Sequence, residues 1–370
     1  MKSKKTIDRN NKITAYLQKL YESALNPDYN TEKDEYFDLL TDIFESKTTS
    51  FREIVLISLV ERKLDAKFRA NTGFYKQKPR GIYDNGPIKY FLIEKGFPHT
   101  KAAALNIAKA ANINDEWSKN RADKENAKKV VKLVKLIDKR SSKFRDDLGI
   151  DLLRKYINKA ASVNQLTVII EPSDDPVYLA NICKTMIDSA PDSGNTPQRI
   201  IGYLLLSYHA AMNSGIIVSG TEDSASTTST TSNKPGDINE ELSDGTIKVY
   251  EITVKKFDLD RIIDSYDCIS KYNNNFHSNI KEVIVICRKE DCPSDISRAS
   301  SSGSVLGFYI YQDVIYYYLD IYEWISQILV HMTSLARKSF YSKLNDYINS
   351  TNTHENVKHV WNALHPKETK

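Results

Sequence analysis

Lys234-Pro-Gly-Asp-Ile-Asn239, a turn at Ser243-Asp244-Gly245, and then Ile247-Lys-Val-Tyr-Glu-Ile-Thr-Val-Lys-Lys256 form the stretch on which the reading of this chain turns. Side chains of a strand project to alternate faces, so the run from Ile247 to Lys256 predicts one face carrying Val249, Glu251, Thr253 and Lys255. Tyr250, Ile252 and Val254 take the other. An Asp-Gly turn favours a hairpin, which brings Asp237 on the preceding segment back beside Glu251. Two carboxylates and a lysine on adjacent strands make a site for a hard divalent cation, because Mg²⁺ is held by one or two carboxylates together with water and phosphate oxygens. The competing reading of the same residues is an edge strand whose charges pair with one another and face solvent.

Working outward, strands alternate with helices. Leu166–Ile170, Gly215–Ser219, the apolar run Glu282–Arg288 and Val305–Tyr311 read as strands. Thr196 as N-cap and Pro197 at the first position open a helix to about Met212. Leu259–Ser270 and the aromatic-rich Asp313–Met332 read as further helices. This alternation predicts an α/β domain with a mixed central sheet flanked by helices, over residues 161–370. Thr221–Asn233 is almost entirely Ser, Thr, Asp and Glu, and is expected to be a mobile loop because it has too little apolar surface to offset the entropy of ordering.

Pro235-Gly236-Asp237, followed by Glu251 and Lys255 on an apolar strand, resembles the PD-(D/E)xK signature of type II restriction endonucleases. The element order of the C-terminal half is similar to the nuclease core of that superfamily. The resemblance implies a restriction-endonuclease-like core in which Asp237 and Glu251 hold Mg²⁺ and Lys255 helps to activate the attacking water. Thr253 is implied as a holder of that water or of a ligand oxygen, and Gln198 as a polar group supplied from the preceding helix. One residue normally separates acid from lysine in the family, and here Ile252, Thr253 and Val254 intervene. Either Glu251 and Lys255 act one pleat apart, or Thr253 occupies the usual acid position. The implied activity is Mg²⁺-dependent, site-specific cleavage of double-stranded DNA by a homodimer, with no small-molecule cofactor beyond the metal.

The N-terminal part, residues 1–160, has a different character. Tyr16, Leu17, Leu20, Tyr21 and Leu25, then Tyr36, Phe37, Leu39, Leu40 and Phe44, recur at helical spacing, and Ile54–Val60 continues the pattern. Lys67–Tyr83 then interleaves cations and rings with glycine and proline. That mixture suits contact with phosphates and bases, with Arg69, Lys76, Lys78, Arg80 and Tyr83 as candidates. Two short helices about the turn Gly96-Phe97-Pro98 have the outline of a helix-turn-helix, which nominates His99, Lys101, Asn106 and Lys109 for a DNA groove. The reading is therefore a mostly helical DNA-binding domain, and a solvated basic helical hairpin is its alternative.

Net charge is only +4, yet residues 61–140 hold 20 Lys+Arg against 9 Asp+Glu, so the basic character is local. The four cysteines lack metal-ligand spacing, and the polar start Met1-Lys-Ser-Lys-Lys5 lacks an apolar leader run, so a reduced, cytoplasmic protein without a membrane span is expected. Two other functions fit part of this pattern: a non-catalytic DNA-binding regulator, and a repair or junction-resolving nuclease of the same superfamily.

Overall fold

The computed structural model describes residues 4–84, 86–100, 112–223, 234–245, 247–294 and 303–365. The chain divides into two compact units, residues 1–165 and 166–370. The boundary expected near residue 160 falls inside a helix that runs on to Gln165.

The first unit is helical among its described residues. Helices α1 (Lys4–Leu25), α2 (Tyr36–Glu45) and α3 (Ser50–Leu64) are followed by the single turn α4 (Ala70–Gly73), α5 (Pro87–Glu94), α6 (Asp115–Lys119), α7 (Lys124–Lys139) and α8 (Ser142–Gln165). The core takes Tyr16, Leu17 and Leu20 from α1 and Val130, Val131 and Val134 from α7. Helix α3 lies at its centre, with every residue from Ser50 to Glu61 buried. The basic segment after α3 is packed down rather than open. Both Asp138 oxygens accept backbone N–H groups, from Ala70 at 3.1 Å and Asn71 at 3.2 Å. Phe68, Phe74, Ile82 and Tyr83 enter the core.

The second unit is α/β. A six-stranded mixed sheet comprises β1 (Ile217–Ser219), β2 (Ile238–Glu241), β3 (Ile247–Ile252), β4 (Glu282–Cys287), β5 (Val305–Tyr311) and β6 (Val314–Asp320), in the order β1-β2-β3-β4-β6-β5. Strands β1, β2 and β3 alternate in direction, β4 is parallel to both β3 and β6, and β5 closes the far edge antiparallel to β6. Helices α9 (Pro176–Ser189), α10 (Asn195–Met212), α12 (Ile321–His331), α13 (Ser334–Asn349) and α14 (Glu355–Leu364) share a core with Ile238, Tyr250, Ile252 and Ile286 of the sheet. Helix α11 (Leu259–Phe276) contributes Ile262 and Ile269 to a second core with Val249, Val283, Val285, Tyr316 and Tyr318. Val249 and Tyr250 thus go to opposite faces, as the alternation in β3 requires.

Three sequence expectations are corrected here. Residues 314–320 are a strand, and only Ile321–His331 of the expected Asp313–Met332 helix is helical. The turn at Gln312, with φ of 53°, makes Val314–Asp320 the second arm of a hairpin in which alternate residues are buried. Asp320 then caps α12 by accepting from the N–H groups of Tyr322 and Glu323. Among the described residues Leu166–Ile170 pairs with no strand; the Asn349 amide takes both backbone groups of Val168, at 3.2 and 2.9 Å. Finally, α10 begins at Asn195 behind Gly194 rather than at a Thr196 cap, because the Thr196 hydroxyl donates back to Ala190 O at 2.6 Å.

Candidate active site

The hairpin of β2 and β3 places the two acids. Ile238 pairs with Tyr250, so Asp237 lies one step before that pair and Glu251 one step after it. Two close approaches fix the loop that delivers Asp237. A Cβ on Gly236 would lie 2.4 Å from Val249 Cγ1, and one on Gly220, whose φ is +94°, would lie 2.0 Å from Asp237 O. Only glycine allows the backbone to pass so close.

Asp237 Oδ2 accepts from Ile252 N–H at 3.0 Å. Glu251, 7% exposed, accepts at Oε1 from Ser265 Oγ of α11 at 3.1 Å. The two carboxyl groups lie close enough that each shifts the other's titration. Both hold their protons to higher pH than ordinary carboxyls, Glu251 the more strongly. Burial pushes Glu251 well above the ordinary carboxyl range, and the charge of Asp237 adds to it. Burial also raises Asp237, against the opposing effects of the Ile252 N–H and the Arg261 guanidinium. This is the expected behaviour of two acids that share a low-dielectric site.

The threonine keeps the face of Glu251, with its N–H still bonded to Ile286 O of β4 at 3.0 Å, whereas the regular strand does not reach the lysine. Strand β3 ends at Ile252, and the Thr253 hydroxyl closes a turn by accepting Lys255 N–H at 3.0 Å and lying 2.9 Å from Lys255 O. It also accepts Arg261 Nη1 at 2.6 Å. With those partners Thr253 holds the turn together and has no remaining capacity for a water or a ligand. Lys255 lies beyond the strand, exposed, and forms no ion pair with Asp237 or Glu251. Alternation stops past Thr253 because its hydroxyl takes the backbone groups of Lys255 that a longer ladder would use.

Sequence reasoning missed the contribution of α11. Asp258 caps this helix through the N–H of Arg261, and the spacing of four residues puts Arg261 and Ser265 on one helix face. That face lies on the carboxyl pair. An Arg-x-x-x-Ser spacing behind an acidic cap was the available signal, and it is a common one. The polar helix residue Gln198 is buried and donates to Gly220 O at 2.9 Å and Asp237 O at 3.5 Å, so it braces the backbone of the acid. On the face served by α10, Glu240 accepts from Tyr250 OH at 2.9 Å and contacts His209 Nε2 at 2.6 Å.

The acids suit a hard cation. Among the described residues no group of three or more His, Cys, Asp or Glu side chains is gathered in ligating geometry. Mg²⁺ does not need one, since water and phosphate oxygens complete its shell. The Arg261 guanidinium favours ionisation of both acids, and a bound cation would favour it further. Asn239, which shares the Asp237 face by the pleat, also has a buried Oδ1 with no hydrogen bond among the described residues.

The nominated DNA contacts divide. Lys76, Lys78 and Arg80 are exposed, as the reading requires. Arg69 is exposed too, though its Nη1 donates to Ala66 O at 3.1 Å and Phe68 O at 2.7 Å. His99 keeps partial exposure, with Nδ1 3.0 Å from Phe97 O. Tyr83 is a correction. It is 0% exposed, and its phenol faces the buried Glu53, so it is a core residue that meets no ligand. Its ring joins Phe68, Phe74 and Ile82 of the same segment in the core. Lys101, Asn106 and Lys109, with the second helix of the expected helix-turn-helix, lie outside the described residues, as does most of the 221–233 loop.

No protein-family model matches this chain, and no curated protein matches it. No helix among the described residues is long and apolar enough to cross a membrane.

Proposed function

We propose that this chain is a divalent-cation-dependent endonuclease of double-stranded DNA, of the PD-(D/E)xK kind found among type II restriction enzymes. The observation that carries the reading is the placing of half-buried Asp237 opposite buried Glu251 at one end of the β2–β3 hairpin. A second support is the order α10, three antiparallel strands, α11 and a parallel β4, which resembles the core of that superfamily.

In this reading Asp237 and Glu251 would hold Mg²⁺, with Asn239 Oδ1 as a neutral oxygen in reserve. The bound ion supplies charge neutralisation at the phosphate and a more acidic water. The chain's own residues do the rest. Ser265 and the Ile252 N–H fix the carboxylate oxygens, so the pair is oriented before substrate arrives. To hold the ion, Glu251 would have to release its proton to solvent. Hydrolysis forms a bond from water oxygen to phosphorus and breaks a phosphorus–oxygen bond, and the departing oxygen takes up a proton. The exposed Lys76, Lys78 and Arg80 of the first unit meet backbone phosphates. Cutting both strands of a symmetric site calls for a second copy of the chain.

The test is incubation of the full chain with plasmid and with a linear duplex, in Mg²⁺ and in EDTA. Discrete fragments only with Mg²⁺ support the reading. Cutting confined to branched or damaged DNA moves the assignment to repair. Salt-sensitive binding with intact DNA in both conditions makes the chain a regulator.

A further inference from the structure

We propose that Arg261, and not Lys255, is the cation that meets the scissile phosphate at the Asp237–Glu251 site. This rests on the nuclease reading and adds a catalytic residue that neither the motif nor its spacing contains.

Arg261 stands in the first turn of α11 and reaches back across the Phe257 ring, its guanidinium carbon 4.7 Å from the ring centroid. Nη1 ends 2.6 Å from Thr253 Oγ1. The ring and the hydroxyl hold the side chain in one place, which lowers the entropy lost when it meets a ligand. Its positive charge acts on both carboxyls, so it lies within electrostatic reach of each. Even so, among the described residues it makes no ion pair with them or with any other acid. A guanidinium has five N–H donors and only one of them is used in this way. The remaining donors form a planar fork that matches two oxygens of a phosphodiester, a geometry that a lysine ammonium cannot reproduce.

Lys255 has none of these attributes. It is exposed, it follows the end of β3, and only its backbone joins the Thr253 turn. That turn links the two candidates: the hydroxyl that folds Lys255 out of the strand is the same one that anchors Arg261. The irregular spacing between Glu251 and Lys255 thus has a structural correlate, with the cation arriving from α11 instead of from the strand.

The experiment measures single-turnover cutting of a linear duplex in Mg²⁺ by the parent chain and by Arg261→Ala, Arg261→Lys, Lys255→Ala and Asp237→Ala. Duplex affinity is measured in Ca²⁺, and Mn²⁺ stabilisation by thermal melting. Arg261→Ala is expected to cut about 10²–10³-fold more slowly, the usual effect of removing one transition-state donor. Its duplex affinity should stay within about threefold, a difference well under 1 kcal/mol. Arg261→Lys should recover part of the rate, and Lys255→Ala should lose less than Arg261→Ala. The proposal is overturned if Arg261→Ala cuts within about threefold of the parent, a change too small for a lost transition-state contact. It is also overturned if Arg261→Ala and Arg261→Lys are equally dead and both lose Mn²⁺ stabilisation, which would make the residue a structural anchor. A parent that cuts nothing in Mg²⁺ removes the nuclease reading and this proposal together, whereas a cutting parent with an indifferent Arg261 removes only the latter.

Discussion

Gly236 is the residue through which the fold most directly controls the site, and replacing it by alanine tests that control. The new Cβ would sit 2.4 Å from Val249 Cγ1 and 3.0 Å from Tyr250 O. Carbon atoms rest at about 3.5–4.0 Å, so the first contact must open by more than about 1 Å. Val249 is 1% exposed and belongs to the α11-side core, which leaves it little room to retreat. Overpacking of this kind costs about 1–3 kcal/mol. The displaced backbone is that of Asp237, and misplacement by about 1 Å at a reacting group typically costs about 10²-fold in rate. Val249→Ala alone should cost about 1–3 kcal/mol through lost burial and the cavity it leaves. In the double variant the alanine at 236 occupies that space, so the two costs should fail to add by about 1 kcal/mol or more. Cutting should return in part only, because the contact with Tyr250 O remains. Urea unfolding followed by tryptophan fluorescence gives the energies, and plasmid cutting in Mg²⁺ gives the rates. Costs that add within about 0.5 kcal/mol, with cutting unchanged by Gly236→Ala, would refute the account of how the acid is placed.

Three further outcomes follow from the same geometry. Asp237→Ala should abolish cutting while leaving duplex binding within about threefold, and a variant that cuts at the parent rate removes Asp237 from the metal site. Glu251 titrates above its ordinary 4.5 in the folded chain, so the unfolded chain loses this proton first as pH rises. Stability from this group is therefore present at acid pH and is lost as pH rises through the folded value. The metal-free parent should melt at lower temperature near about pH 8 than near about pH 5.5, and Glu251→Gln should flatten that fall; equal slopes in parent and variant would exclude a proton held at Glu251. The buried Glu61 of α3, pushed up to about 7, acts in the same direction in both chains, so the comparison is between slopes. Arg80→Ala should weaken duplex binding with a shallower salt dependence, by about one phosphate contact, and an unchanged slope would take the 67–80 segment out of the interface.

What the chain determined by itself were the features set within a few residues. The Asp-Gly turn between β2 and β3, the alternation from Ile247 to Ile252, and the apolar run of β4 are local patterns whose period fixes their structure. They were enough to predict a mixed sheet flanked by helices and to bring Asp237 beside Glu251. The remaining features depended on partners distant in sequence. Val314–Asp320 carries aromatic residues that suit either period, and pairing with β4 and β5 made it a strand. Tyr83 looked like a nucleic-acid contact because its neighbours are charged, yet the core around Glu53 claimed it. Lys255 left the face of Glu251 because a hydroxyl two residues earlier could bond its backbone, and Arg261 entered because α11 folds back over β3. Periodicity reports which residues lie on a common face. Which charge reaches a buried carboxyl is decided by packing, because the cost of leaving that carboxyl without a counter-charge is felt only once tertiary structure has removed it from water.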